Sequence, residues 1–307
     1  MQKKDYIKAD KRKNTGWLFF FLAILYLTTA AGKSEEGGEC AERLSLLKQT
    51  LSDSVGFFIK VHAAENLIRQ GCTAGISAQF EQLQKESAGN EIGAARVLAR
   101  LHKHHPAAYK TCISLLVDRF RNGPAQTRLG ALESLGKLGY YDASATVRAY
   151  ADTGTAGFKA MARWVLANGG TSAAEDRLSA LLLSREPADY RYAAYALRFR
   201  AVVNARTLQR LRSCLGSLKR EDAARVYVAG CLYVHSSGIA KQQVRGTLLT
   251  YINGDVAQRY ETAEALGIAG ARSDIPVLQP LLADGNADVR VAAANALARL
   301  MHCACQG

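Results

Sequence analysis

Three histidines, His102, His104 and His105, fall within the run LHKHHP. Imidazoles this close together can take a transition metal. Histidines in a loop with no further ligand at metal spacing are a weaker signal than a Cys-x-x-Cys pair, and no metal is assigned to them. His235 stands beside Ser236, Ser237 and Gly238, which reads as a loop excursion. The chain has 7 cysteines: Cys40, Cys72, Cys112, Cys214, Cys231, Cys303 and Cys305. An odd number leaves at least one unpaired. Cys303 and Cys305, one residue apart in the tail, are too isolated to define a site, and Cys214 and Cys231 read as small core hydrophobes. No Ser/His/Asp order, carboxylate pair or phosphate loop can be assigned. The expectation is therefore a chain without catalytic residues, metal or cofactor, and not an enzyme.

The elements that would position any site are helical. Proline is scarce, at 5 residues, while alanine and leucine are abundant, a balance that favours helices. The segments Asp288–Leu300, Gln258–Gly270, Thr127–Gly139 and Ile59–Gly71 share one amphipathic pattern. Aligned on one aliphatic position they give Leu67, Leu98, Leu135, Leu166, Leu197, Val228, Leu266 and Leu297, with steps of 31, 37, 31, 31, 31, 38 and 31 residues. A near-constant period of this size marks a helical repeat array. Four residues earlier stand Ala63, Ala94, Ala131, Ala162, Ala193, Ala224, Thr262 and Ala293. Residues four apart share a helix face, so a small residue and a large one form a buried seam along the array. A second helix precedes each, for example Ala108–Phe120 and Thr207–Leu218, with turn residues such as Asn122-Gly123-Pro124 and Asn253-Gly254-Asp255 between. The unit is an antiparallel helical hairpin.

Two residues before the register position lies the face turned away from the seam. It reads Glu65, Arg96, Glu133, Trp164, Tyr195, Val226, Glu264 and Asn295. Three residues earlier on that face stand His62, Met161, Tyr192 and Glu261, and two after the register stand Arg69, Arg100, Lys137, Phe199 and Arg299. The outer repeats are mostly polar here, whereas the central ones offer Met161, Trp164, Tyr192, Tyr195 and Phe199. These five are the candidate partner-binding residues, since a contiguous exposed aromatic patch marks an interaction surface. The competing reading packs them against a neighbouring helix.

The segments DVRVAAANALARL and QRYETAEALGIAG resemble HEAT repeats, in particular the short variety of phycobilisome lyases, over residues 41–301. The resemblance implies an all-α, right-handed α-solenoid of about eight hairpins whose second helices line a concave groove. It also implies that Asp288 and Arg290 join neighbouring repeats. HEAT-like proteins are mostly scaffolds and binding modules, and two enzyme groups, bilin lyases and alkylpurine DNA glycosylases, use the fold.

Residues 1–31 read as a signal peptide or signal anchor. Lys3, Lys4, Lys8, Lys11, Arg12 and Lys13 precede an uncharged apolar run from Trp17 to Ala31. Thr29-Ala30-Ala31 offers a cleavage site, residues 32–40 form a linker, and residues 302–307 are a tail. The net charge is +13. Its cations are mixed with acids along the body, so no nucleic-acid partner is expected. The implied protein is exported to a bacterial periplasm or cell envelope, with membrane contact through residues 17–31 if the segment stays uncleaved. There it would bind a protein or peptide in its groove. The alternatives are a bilin-lyase-like or DNA-glycosylase-like enzyme, and a binder of anionic glycan or lipid surfaces.

Overall fold

The computed structural model describes residues 38–305, and among them every regular element is helical. The signal segment and residues 32–37 lie outside the described residues. Helix α1 spans residues 38–52, so it begins within the stretch read as a linker. There follow α2 (Phe57–Arg69), α3 (Ile76–Glu86), α4 (Glu91–Leu101), α5 (Pro106–Asn122), α6 (Ala125–Lys137), α7 (Ala145–Thr153) and α8 (Ala156–Ala167). Then come α9 (Ser172–Ser179), α10 (Pro187–Arg198), α11 (Ala205–Ser217), α12 (Arg225–His235), α13 (Gly238–Leu249), α14 (Val256–Ala269), α15 (Ile275–Leu278) and α16 (Ala287–Leu300). Consecutive pairs make eight hairpins.

Local chemistry sets the boundaries. Asp255 caps α14 by accepting from the Gln258 backbone N–H at 2.8 Å, and the Gln258 side chain answers by accepting from the Asp255 N–H at 3.1 Å. Such a reciprocal cap satisfies two donors that a helix start leaves unpaired. Helix α6 ends at Gly139, whose φ of +72° is a left-handed conformation open to glycine, and the Tyr140 N–H then reaches back to the Leu135 carbonyl. Arg128, Arg259 and Arg290, each seven residues before its register residue, donate to the loop carbonyls of Gly123, Gly254 and Asp284. Arg290 thus braces its own hairpin, whereas Asp288 does reach another one, as described below.

The seam is present. All eight members of the Ala/Thr column are buried, and so are seven of the aliphatic column. Leu166 is the exception; it is half-buried and borders an outer cleft with Arg163 and Thr171. The even-numbered helices pack side by side and are buried nearly all round; α4 buries every residue from Ile92 to Ala99. The odd-numbered helices bury one stripe, such as Ile113, Leu116 and Phe120 of α5. That division places the even helices on the inside.

The array closes on itself. Helix α16 packs against α2, so the eight inner helices form a ring. Disulfides Cys40–Cys303 and Cys72–Cys305 tie the tail to α1 and to the turn after α2. The Cys305 N–H donates to the Gln70 carbonyl at 2.9 Å. The ends of the chain are therefore stapled, and residues 302–305 belong to the ring. Cys112, Cys214 and Cys231 are unpaired, and Cys214 and Cys231 are buried as expected of core hydrophobes.

Candidate functional site at the centre of the ring

Being second members of their hairpins, the inner helices run parallel, and equivalent positions meet in register. Glu65 pairs with Arg96, 31 residues on, and Glu264 with Asn295, also 31 on. The face turned away from the seam therefore points to the ring axis. Side chains from it fill the waist. Arg96 grips Glu65 with two nitrogens at 2.8 and 3.4 Å, and Arg100 Nε donates to the same carboxylate at 2.7 Å. Lys137 lies 2.8 Å from Glu133, which also accepts from the Tyr195 hydroxyl at 2.7 Å. Arg198 is ion-paired with Glu261. Burial by itself would raise the carboxyl groups of Glu65 and Glu133. The cations around them outweigh it: Glu65 is held far below the usual range by Arg96 and Arg100, and Glu133 is lowered to about 2 by Lys137 and Arg96. Burial pushes the Lys137 ammonium down, and the nearby Arg96 adds to that.

Above the waist, where the inner helices begin, a cavity of about 400 Å³ is lined by Met161, Tyr192, Tyr195, Tyr227, Glu133 and Glu261 among others. A second cavity of about 430 Å³ shares Glu133 with it and reaches Arg96 and His62. His62 Nδ1 lies 3.3 Å from Asp288 Oδ1, a contact between the first hairpin and the eighth. Below the waist, where the inner helices end, lies a third cavity of about 420 Å³ lined by Glu65, Arg69, Arg100, Lys103 and Lys137.

The five aromatic-patch residues come together, in two layers. Trp164 is 1% exposed and Met161 2%, so the exposure expected of Trp164 is not found. The indole lies flat on α6: a Cβ on Gly136 would sit 2.6 Å from its ring carbons. Phe199 stacks on it with centroids 5.5 Å apart, and Tyr195 meets it edge-on at 6.3 Å. The physical reason is closure. On the inside of a ring, adjacent helices converge, and a side chain two positions before the seam residue meets the next helix before it meets solvent. Tyr192 and Tyr195 remain half-buried at the mouth, with Met161 beneath them.

The other singled-out residues are structural in placement. His102 and His105 approach each other at 6.2 Å at the α4–α5 turn. Among the described residues no group of three or more His, Cys, Asp or Glu is placed to hold a metal. His235 Nε2 lies 3.0 Å from the Leu197 carbonyl and links α12 to α10, and its pKa is lowered by burial. The waist residues themselves were visible only as a polar column; nothing in the spacing announced that they would be enclosed.

Residues 275–304, which include α15 and α16, match the HEAT repeat. The chain is similar to human deoxyhypusine hydroxylase, whose structure was solved in complex with glycerol. Identity is 20%, the match covers 88% of this chain and 99% of that one, and the TM-score is 0.43. It is also similar to an engineered protein, at 17% identity over 75% of this chain and 97% of that one, with a TM-score of 0.32. No curated protein sequence matches it. The described residues are thus an all-helical array of hairpins, of which residues 275–304 match the HEAT repeat. The expectation that it is not an enzyme is corrected: deoxyhypusine hydroxylase, to which the chain is similar, is an enzyme. The waist shows that the ring encloses buried ionisable groups.

Proposed function

We propose that this protein is an exported binding ring of the cell envelope that holds a protein or peptide partner at its tyrosine-lined mouth. The observation that carries this reading is the 400 Å³ cavity in which Tyr192, Tyr195 and Tyr227 surround Met161. Tyrosines combine a large apolar face with a polar tip and dominate many interface energies. The waist below is plugged by ion pairs, so the partner enters from one face as a loop or terminus and does not thread the ring. Two features support export: the basic and apolar leader, and two disulfides, which persist in oxidising compartments. A photo-crosslinking residue at Tyr192, introduced into the full chain in its native envelope, tests the reading. A discrete adduct is expected there, absent when the same residue replaces the exposed Val202 and reduced by Tyr227→Ala. No adduct, or the same adducts from both positions, would overturn it.

A further inference from the structure

The cavity on the opposite face holds more positive charge than the protein around it balances. Arg69, Arg100, Lys103 and Lys137 line it at the ends of α2, α4 and α6, Glu65 is the carboxylate in its wall, and Arg96 and Glu133 in the waist above cancel each other. That is three positive charges in excess. Glu264 acts on Arg69 and on Arg299 alike, so together with Arg299 it changes nothing in the balance. The carbonyl ends of three helices contribute roughly half a negative charge each, which leaves about 1.5 positive charges. Burial lowers the pKa of Arg69, of Lys137 and of Arg299, and neighbouring cations deepen the fall in each case.

The cations are also placed and fixed. Arg100 is locked by Glu65 at 2.7 Å and by the Lys137 carbonyl at 3.4 Å. Arg69 Nη1 donates to Asn66 at 2.7 Å and Asn295 at 3.4 Å. Lys137, its side chain 8% exposed, sits over the rings of Tyr195 and Phe199 at 5.5 and 5.3 Å. Two guanidinium groups and an ammonium held around one space suit tetrahedral oxygen anions, which guanidinium contacts in a bidentate fork. A phosphoryl group carries about 1.5 to 2 negative charges at neutral pH, the size of the surplus. The space of about 420 Å³ exceeds what a bare phosphate needs, and its remaining wall is apolar, made of Ile68, Ala99, Leu138 and the side of Tyr109.

We propose that this cavity binds a small phosphomonoester, its phosphoryl group among Arg69, Arg100, Lys103 and Lys137 and its body against Ile68, Leu138 and Tyr109. The site lies on the face opposite the tyrosine mouth and stands or falls independently of it.

Calorimetric titration of the full chain with inorganic phosphate, phenyl phosphate and succinate tests this. Phosphate should bind saturably at one site per chain, and phenyl phosphate roughly tenfold tighter. Lys103 is exposed, so Lys103→Glu should leave the melting temperature unchanged and weaken phenyl phosphate by roughly tenfold or more. Arg69→Gln should likewise weaken phenyl phosphate, while Arg148→Glu on an outer helix should not. Absence of saturable binding by either phosphate, or unchanged affinity in Lys103→Glu, would overturn the site. Succinate binding as tightly as phenyl phosphate would overturn the phosphoryl assignment.

Discussion

The joint between α14 and α16 and the joint between α16 and α2 do the same geometric task by different means. At the first, Gly267 lets the backbones touch: a Cβ there would lie 2.7 Å from Ala296. At the second, packing is sparser, and Val61, Ala64, Val291 and Ala294 belong to a separate core cluster from the one that runs through the body of the ring. Polar contacts, His62 with Asp288 and Arg69 with Asn295, and two disulfides supplement it. Interior joints such as α2 with α4 and α4 with α6 are as sparsely packed, so what sets the closing joint apart is its covalent links, and these answer a difference in chain entropy. An interior joint links hairpins about thirty residues apart, and its contacts are nearly local. The closing joint brings together residues 263 and 233 positions apart. Closing a loop of that length costs on the order of 5 kcal/mol in chain entropy, and covalent links remove that cost from folding.

The largest effect should therefore come from the closing joint. Replacing Cys303 and Cys305 by serine, or adding reductant, should lower stability by about 5 kcal/mol. Denaturant unfolding monitored by circular dichroism measures the loss. Amide exchange should rise first in α2 and α16, with α8 and α10 still protected. An unchanged midpoint under reduction would mean that the ring is closed by packing alone, and the contrast between the joints would vanish.

The next effect sharpens the interior side. Trp164 fills the space between α6 and α10 against Gly136 and Phe199. Trp164→Ala should cost about 3–5 kcal/mol with the disulfides intact. In a Trp17→Phe background Trp164 is the remaining tryptophan of the 2 in the chain. Its emission should be blue and resistant to acrylamide in the folded ring. Red-shifted, easily quenched emission would show that the inner helices are splayed and that the joint is not packed as described.

Much of this was legible from residues alone. The alternation of Ala131 with Leu135, and its seven equivalents, identified the inner helices and their buried seam, because small–large pairing four residues apart is a local property of one helix. Closure was not legible. Cys40 and Cys303 carry no mark in the sequence that they meet, and a period of 31 residues is compatible with an open array or a closed one. That single omission explains the misplacement of Trp164. The column Glu65, Arg96, Glu133, Trp164 and Tyr195 was correctly turned away from the seam, but whether that direction means solvent or a crowded axis depends on curvature summed over eight hairpins. The His62–Asp288 contact and the gathering of Arg69, Arg100 and Lys137 depend on the same closure. Their residue types were readable in the sequence as a polar face, while their enclosure was not.

The smallest effect concerns the charged sector beside the closing joint, and it has a definite sign. Glu65 and Glu133 have pKa values lowered below the ordinary 4.5, Glu133 to about 2, with burial opposing and the neighbouring cations prevailing. An unfolded chain takes up protons on these groups as the pH falls through 4.5, whereas the folded ring keeps them ionised. Their contribution is therefore complete above pH 4.5 and declines as acid approaches the folded values. Between pH 4.5 and 3 each group loses up to about 2 kcal/mol, at about 1.4 kcal/mol per pH unit. Glu133 should lose less, because its side chain is 32% exposed and water screens it. Urea midpoints measured from pH 7 to 3 should fall mainly below pH 4.5. Glu65→Gln should flatten that fall, since glutamine has no proton to gain, while starting from a lower stability at pH 7, where Arg96 and Arg100 are left without their shared counter-charge. If Glu65→Gln shows the same acid slope as the parent, the waist is held by packing against the aromatic sector, and the ion pairs are passengers in it.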